Sequence, residues 1–320
     1  MEPVKLVSEQ DGLELGLLYA APEQRPVRGI VQICHGMSEH KERYIPFLEF
    51  LCQNGYACVI HDHRGHGESV RNGDDLGHFY ENGAQSIVED AHQVTLYIKE
   101  KHPGLPVCLF GHSMGSMVVR LYTKQYDHDI NALVVCGSPS KNPLAPAGRI
   151  LAKTMALVKG GHYRSRLIQS MAFGNFNRAF ENPKSENAWI CSDEQEVQRY
   201  DDDPLCGFVF TLNGFENLFA LMERTYSRKG WAMQNPALPV LFVSGREDPC
   251  RISDLKFMQA VDFMKSCGYL NTEFRLYEGA RHEILNEPIR EAVYALSLIH
   301  ISSIESLSES IHTPCPIING

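Results

Sequence analysis

The chain has only two tryptophans among its 320 residues, and its ten cysteines form no Cys-x-x-Cys pair. Basic residues are outnumbered, 30 to 39, which leaves a net charge of −9. That balance excludes a nucleic-acid partner, which requires a concentrated basic face. Met1-Glu2-Pro3-Val4-Lys5 lacks the basic-then-apolar order of a secretory signal, and no apolar run approaches the roughly 18 residues of a membrane span. Cys34, Cys58, Cys108 and Cys136 fall inside apolar runs, where a thiol behaves as a small hydrophobe. Together these features point to a reduced, cytoplasmic protein without stable membrane insertion. The 43% hydrophobic and 22% charged content supports a large buried core in a soluble globule.

What is present is an alternation. Gly29–Cys34, Tyr56–Ile60, Pro106–Phe110, Ala132–Cys136 and Pro239–Val243 are near-continuous apolar runs, as strands covered on both faces require. Leu13–Leu17 alternates as a half-exposed strand, and Thr272–Tyr277 is the last strand. Between these lie helical spacings: Tyr44–Asn54, a segment opened by a Ser86-x-x-Glu89 capping box, and Pro288–Ile299. Strands alternating with helices predict an α/β fold, a mostly parallel sheet with helices on both faces.

Residues 139–235 break the pattern. The stretch is helical or irregular, and holds both tryptophans and seven of the fifteen phenylalanines: Phe173, Phe176, Phe180, Phe208, Phe210, Phe215 and Phe219. The expected organisation is a core of residues 1–138 and 236–302 with an inserted helical lid at 139–235. Most of the inserted rings are expected to build a small core of their own, and some to line a pocket. Residues 303–320 lose any steady period and read as a loose tail.

The segment Phe110-Gly111-His112-Ser113-Met114-Gly115-Ser116 joins an apolar run to a helical one. A strand, a Gly-x-Ser-x-Gly turn and a helix make a nucleophile elbow, with Ser113 at the tip of a strained turn. In that chain order an acid and then a histidine follow the serine. Among fourteen histidines, only His282 lies in the Gly-rich turn that follows the last strand and precedes a helix. Asp248 sits just past Val240–Val243, and spacing leaves its neighbour Glu247 open as the acid. Asp248 also reads as a cap on the following helix. The Met114 N–H is one oxyanion donor. The loop carrying His35-Gly36-Met37 supplies the other, from the Met37 N–H. His35, Gly36 and His112 beside the elbow, with Phe173 and Phe176 of the insertion, are the expected substrate contacts.

Five stretches carry a resemblance: His35-Gly36-Met37-Ser38-Glu39-His40, Asp62-His63-Arg64-Gly65-His66-Gly67-Glu68-Ser69, Gly111–Gly115, Gly245-Arg246-Glu247-Asp248 and Gly279-Ala280-Arg281-His282. Over about residues 10–300 the chain resembles α/β-hydrolases of the monoacylglycerol lipase and lysophospholipase group. The resemblance implies an α/β-hydrolase fold with a lid and favours Asp248 as the acid. It also implies ester hydrolysis of a lipid-like small molecule through an acyl-enzyme, with no cofactor. Lipid-surface contact would then be transient and made through the lid. His61-Asp62-His63-Arg64-Gly65-His66 gathers three imidazoles and a carboxylate, but no distant ligand cluster joins them, so no metal is expected. Asp201-Asp202-Asp203 reads as a solvated turn. Its sharper alternative is a carboxylate group that grips a free amine, which suits an aminopeptidase of the same fold. A non-catalytic binding protein of this fold would not need serine, aspartate and histidine together.

Overall fold

A computed structural model describes the backbone of residues 1–311 and side chains through Ser302. Among the described residues the strands are β1 (Glu2–Val7), β2 (Glu14–Ala20), β3 (Gly29–Cys34), β4 (Tyr56–His61), β5 (Val107–His112), β6 (Ala132–Cys136), β7 (Val240–Gly245) and β8 (Thr272–Tyr277). They form one sheet in the order β1-β2-β4-β3-β5-β6-β7-β8. β2 pairs antiparallel with β1 and β4, and every pair from β4 to β8 is parallel. β3 to β7 are buried along their whole length, which is why they read as apolar runs without alternation.

The helices are α1 (Ile45–Gln53), α2 (Gly83–Lys101), α3 (Met114–Tyr126), α4 (Ala145–Lys159), α5 (Arg166–Phe173), α6 (Glu194–Asp202), α7 (Leu212–Thr225), α8 (Asp254–Ser266) and α9 (Arg290–Ile311). On one face Phe47, Leu48 and Leu51 of α1 and Val293, Tyr294 and Ile301 of α9 pack on Ile33, Phe110, Val134 and Val243. On the other, α2, α3 and α8 cover Val59, Leu109, Val135 and Phe242 through Ile87, Val118 and Val261. No helix among the described residues is long and apolar enough to cross a membrane.

Several expectations change. The expected strand Leu13–Leu17 is β2, which starts at Glu14, runs on to Ala20 between β1 and β4, and is buried from Leu15 on. Ser86 does not cap α2: the helix starts at Gly83 after a left-handed Asn82, and Asn217 Oδ1 accepts the Ala84 N–H at 2.7 Å. Between β6 and β7 lie α4 to α7, but they do not share a separate core. Phe210, Phe215 and Phe219 join the main core, and α7 packs on α2 and α3. Only Ile190, Cys191, Val197, Tyr200 and Cys206 make a small cluster, with Trp189 against it. α9 runs on to Ile311, beyond the start of the expected loose tail, while residues 312–320 of that tail lie outside the described residues.

Candidate active site

The parallel strands end along one sheet edge, where loops after β3, β5, β7 and β8 converge. β5 stops at His112 and α3 starts at Met114, so Ser113 alone makes the turn, with φ 53° and ψ −116°. A non-glycine residue held there stores about 1–3 kcal/mol of strain. The Ser113 N–H donates to the Cys136 carbonyl (2.9 Å), and the Ser116 hydroxyl donates to the Ser113 carbonyl. The crossing of strand, helix and β3 explains both elbow glycines. A Cβ on Gly111 would stand 2.4 Å from the Gly115 oxygen, and one on Gly115 2.1 Å from the Cys34 oxygen. Backbone cannot yield as a side-chain tip can. Gly115→Ala is therefore expected to lower the melting temperature by about 5 °C or more. A melt within a degree of wild type would show that the crossing is looser.

β7 ends in Gly245, and the chain turns so that Asp248 is buried while Glu247 faces solvent. Asp248 Oδ1 accepts the Cys250 N–H at 2.8 Å, capping a short turn, and Oδ2 accepts the Ser244 hydroxyl at 3.0 Å. His282 Nδ1 is 3.0 Å from Asp248 Oδ1, within ion-pair range but without the angle of a formed hydrogen bond. Apo catalytic contacts are often misaligned in this way and tighten around substrate. Burial opposes ionisation of Asp248, yet the neighbouring His282 and the donated hydrogen bonds hold its carboxyl below the usual range.

Ser113 and His282 face a cavity of about 760 Å³. Gly36, Met37, His112, Met114, Phe173 and Phe176 also line it. Gly36 is required by close approach: a Cβ there would lie 3.1 Å from Ser113 Cβ and 2.6 Å from Glu39 Oε1. Met114 opens α3, so its N–H belongs to the helix end that lacks intrahelical acceptors.

His35 does not reach the cavity. It is wholly buried beneath the loop, with Nδ1 2.8 Å from the Gly36 carbonyl and Nε2 accepting the His63 N–H at 2.9 Å. His61, His63 and His66 are buried around it, with ring centroids of His35 and His63 4.4 Å apart. Asp62 Oδ1 lies 3.9 Å from His35 Nε2, and the carboxylate accepts from Lys41 Nζ (2.7 Å) and the Glu68 N–H (2.9 Å). Asp201, Asp202 and Asp203 do not line the cavity. Asp201 and Asp202 bind Asn187 and Gln198, and Asp203 faces His40.

Sequence reasoning missed the charged group behind the histidine. Glu39 accepts from Arg43 (2.7 Å) and the Tyr44 hydroxyl (2.9 Å), and the Gly36 N–H donates to it. Arg43 also makes a two-pronged bond to Glu283 (2.7 and 2.6 Å), which fixes the residue next to His282. His112 joins this network through Glu39 (3.2 Å) and reaches the His282 carbonyl (3.3 Å). Burial opposes charge on both partners. The Glu39 contact still raises the His112 pKa, while His112 and Arg43 hold Glu39 well below its usual range. Trp189 of the insertion lies over His282 with centroids 5.0 Å apart, and the Glu283 N–H donates to the Ile190 carbonyl at 2.7 Å. The signal available was the Ser38-Glu39-His40 stretch itself: charged residues following a buried strand directly.

The fold and the elbow define an α/β-hydrolase. The family model described as serine aminopeptidase, S33 (Hydrolase_4), matches residues 25–289, and the chain belongs to that family. Among curated proteins it is similar to a monoglyceride lipase homologue of monkeypox virus: 29% identical over 266 residues, covering 81% of this chain and 83% of that protein. It is 25% identical over 278 residues to the monoglyceride lipase of Rattus norvegicus, covering 87% and 82%. Among solved structures, a thermostable carboxyl esterase from Bacillus coagulans in complex with glycerol superposes with a TM-score of 0.86. Identity there is 25%, over 95% of this chain and 98% of that one.

Proposed function

We propose that this carboxylic ester hydrolase cleaves lipid esters of the monoacylglycerol type through an acyl-enzyme, and that residues 139–235 act as its lid. The observation that carries the reading is the cavity. Its lining holds Ser113 and His282, and its walls include the apolar Phe173, Phe176, Trp189, Phe208, Phe219 and Met222. The monoglyceride lipases among the relatives support the same substrate class.

In the proposed sequence Ser113 Oγ attacks the ester carbonyl and passes its proton to His282 Nε2, since Nδ1 faces Asp248. The Met37 and Met114 N–H groups hold the oxyanion, each worth roughly 3–4 kcal/mol. Collapse expels the alcohol, which takes the proton from His282. Water then attacks the acyl group, gives a proton to His282, and frees Ser113 with the fatty acid. The carboxylates of Asp201 to Asp203 bond outside the cavity and so lend no support to the amine-gripping alternative.

A buried methylene gains about 0.8 kcal/mol, roughly fourfold in kcat/KM. Across esters of two to sixteen carbons, kcat/KM is expected to climb well past butyrate before it falls. The double variant Phe173→Ala/Phe176→Ala should lose long-chain activity about tenfold or more and acetate activity much less. An acetate optimum with monotonic decline would instead make the protein a short-chain esterase.

A further inference from the structure

Outside the cavity, the end of α6 meets the loop after β3 at a group of donors that the ester chemistry does not use. His40 Nε2 is 2.8 Å from Asp203 Oδ2, and its Nδ1 is 2.6 Å from Glu42 Oε2. The Cys206 thiol completes the group: one donor atom each from His40, Asp203 and Cys206 lie within 4.8 Å of one another. His40 and Cys206 are buried, while Asp203 is partly open to solvent. We propose that His40, Asp203 and Cys206 form a binding site for one zinc ion.

The donor set suits the ion. Imidazole nitrogen, thiolate sulfur and carboxylate oxygen are the three ligand types that zinc takes, at about 2.0–2.3 Å, and a fourth position can hold water. Asp203, on the open side, leaves room for that water. Such bonds place tetrahedral donors roughly 3.4–3.8 Å apart. The ion therefore needs the His40–Asp203 contact to open by under an ångström and the thiol to close in. Glu42 already holds the other ring nitrogen, the carboxylate–histidine arrangement that fixes an imidazole for a metal. Binding releases the thiol proton and the proton between His40 and Asp203, so the bound ion faces one thiolate, one carboxylate and a neutral imidazole. The adjacent cation does not forbid this, because Arg43 is already committed to Glu39 and Glu283 and stacks on Tyr200.

The position gives the ion a structural role. The Gly207 N–H donates to the Ser38 carbonyl (2.9 Å), the Ser38 hydroxyl donates to the Phe208 carbonyl (2.8 Å), and the Tyr200 hydroxyl donates to the Ser38 carbonyl (2.9 Å). Ser38 follows Met37 directly. A zinc ion on His40, Asp203 and Cys206 would clamp the inserted segment to the loop that carries Met37.

The test uses the whole protein, stripped with a chelator and titrated with Co²⁺ and then Zn²⁺. One equivalent of Co²⁺ should give a thiolate-to-cobalt charge-transfer band, which Zn²⁺ displaces, with a Zn²⁺ Kd below about 1 μM. Cys206→Ser should abolish the band, and Glu42→Gln, which keeps all three ligands, should weaken binding about 10- to 100-fold. Cys250→Ser should leave the band intact. That variant matters because Asp248, Cys250 and His282 form the other close donor group among the described residues. A band lost with Cys250→Ser and kept with Cys206→Ser would overturn the proposal, as would saturation only above about 100 μM. Should Cys206→Ser fail to fold, the Glu42→Gln shift and the wild-type stoichiometry decide the question.

Discussion

Ser113→Ala is expected to lower kcat/KM for an ester on the order of 10⁴- to 10⁶-fold while leaving the fold intact. The serine is the only hydroxyl the elbow presents at the cavity floor beside His282, and its Oγ makes no contact on which the turn depends. The turn is held instead by its backbone, through the Ser113 N–H to Cys136 and the Ser113 carbonyl to Ser116. Losses of this size are what nucleophile removal costs where the residual rate comes from binding and oxyanion donors alone. A fluorophosphonate probe should label wild type at Ser113 and nothing else. Asp248→Asn should cost roughly 10⁴-fold, because it disturbs the tautomer of His282. Glu247→Gln, on the solvent side, should change the rate less than about threefold. Activity of the Ser113 variant above about 0.1% of wild type, or a larger cost at Glu247 than at Asp248, would remove these assignments.

The second large effect is loss of stability in acid. His35, His61, His63 and His66 are buried together, and burial pushes His61 and His66 down to about 3 and the other two below their usual range, although the Asp62 and Glu39 carboxylates partly offset this at His35. In the unfolded chain each takes a proton near pH 6.5. Below that value unfolding binds protons that the folded state refuses, so stability falls as pH drops from about 6.5 toward 3. Each imidazole that stays neutral contributes about 1.4 kcal/mol of loss per pH unit. His61 and His66 by themselves would cost about 4 kcal/mol between pH 6.5 and 5, a large share of a typical total of about 5–15 kcal/mol. Urea midpoints measured from pH 7.5 to 5 should drop steeply, and the His63→Phe variant should show a shallower slope. A midpoint that holds constant to pH 5 would mean that the four rings accept protons in place. His35 packs with His61, His63 and His66 beneath the loop that carries Gly36 and Met37.

Much of this was legible because it is local. A strand buried on both faces reads as a near-continuous apolar run, so β3 to β7 appear in the sequence to within a residue or two of their ends. Ser113, Asp248 and His282 each sit in a short motif at a strand end, where glycine is needed for backbone crossings such as that of Gly115 with Cys34. Their order along the chain was enough to bring them to one edge of a parallel sheet.

Tertiary structure decided what depends on distant partners. Spacing left both Asp248 and Glu247 open, and the turn after β7 buries Asp248 beside His282 while Glu247 faces solvent. The start of α2 was set by Asn217, over a hundred residues away, rather than by its own Ser86. Arg43 and Glu283, separated by 240 positions, meet only because β3 and β8 end on the same edge. His40 meets Asp203 for the same kind of reason, 163 positions on. Charged residues carry no periodic signature, so only folding could tell which would be buried and paired. The inserted segment followed the same rule: its rings announced burial, but their division between the main core and the cavity wall was settled by how α7 packs on α2 and α3.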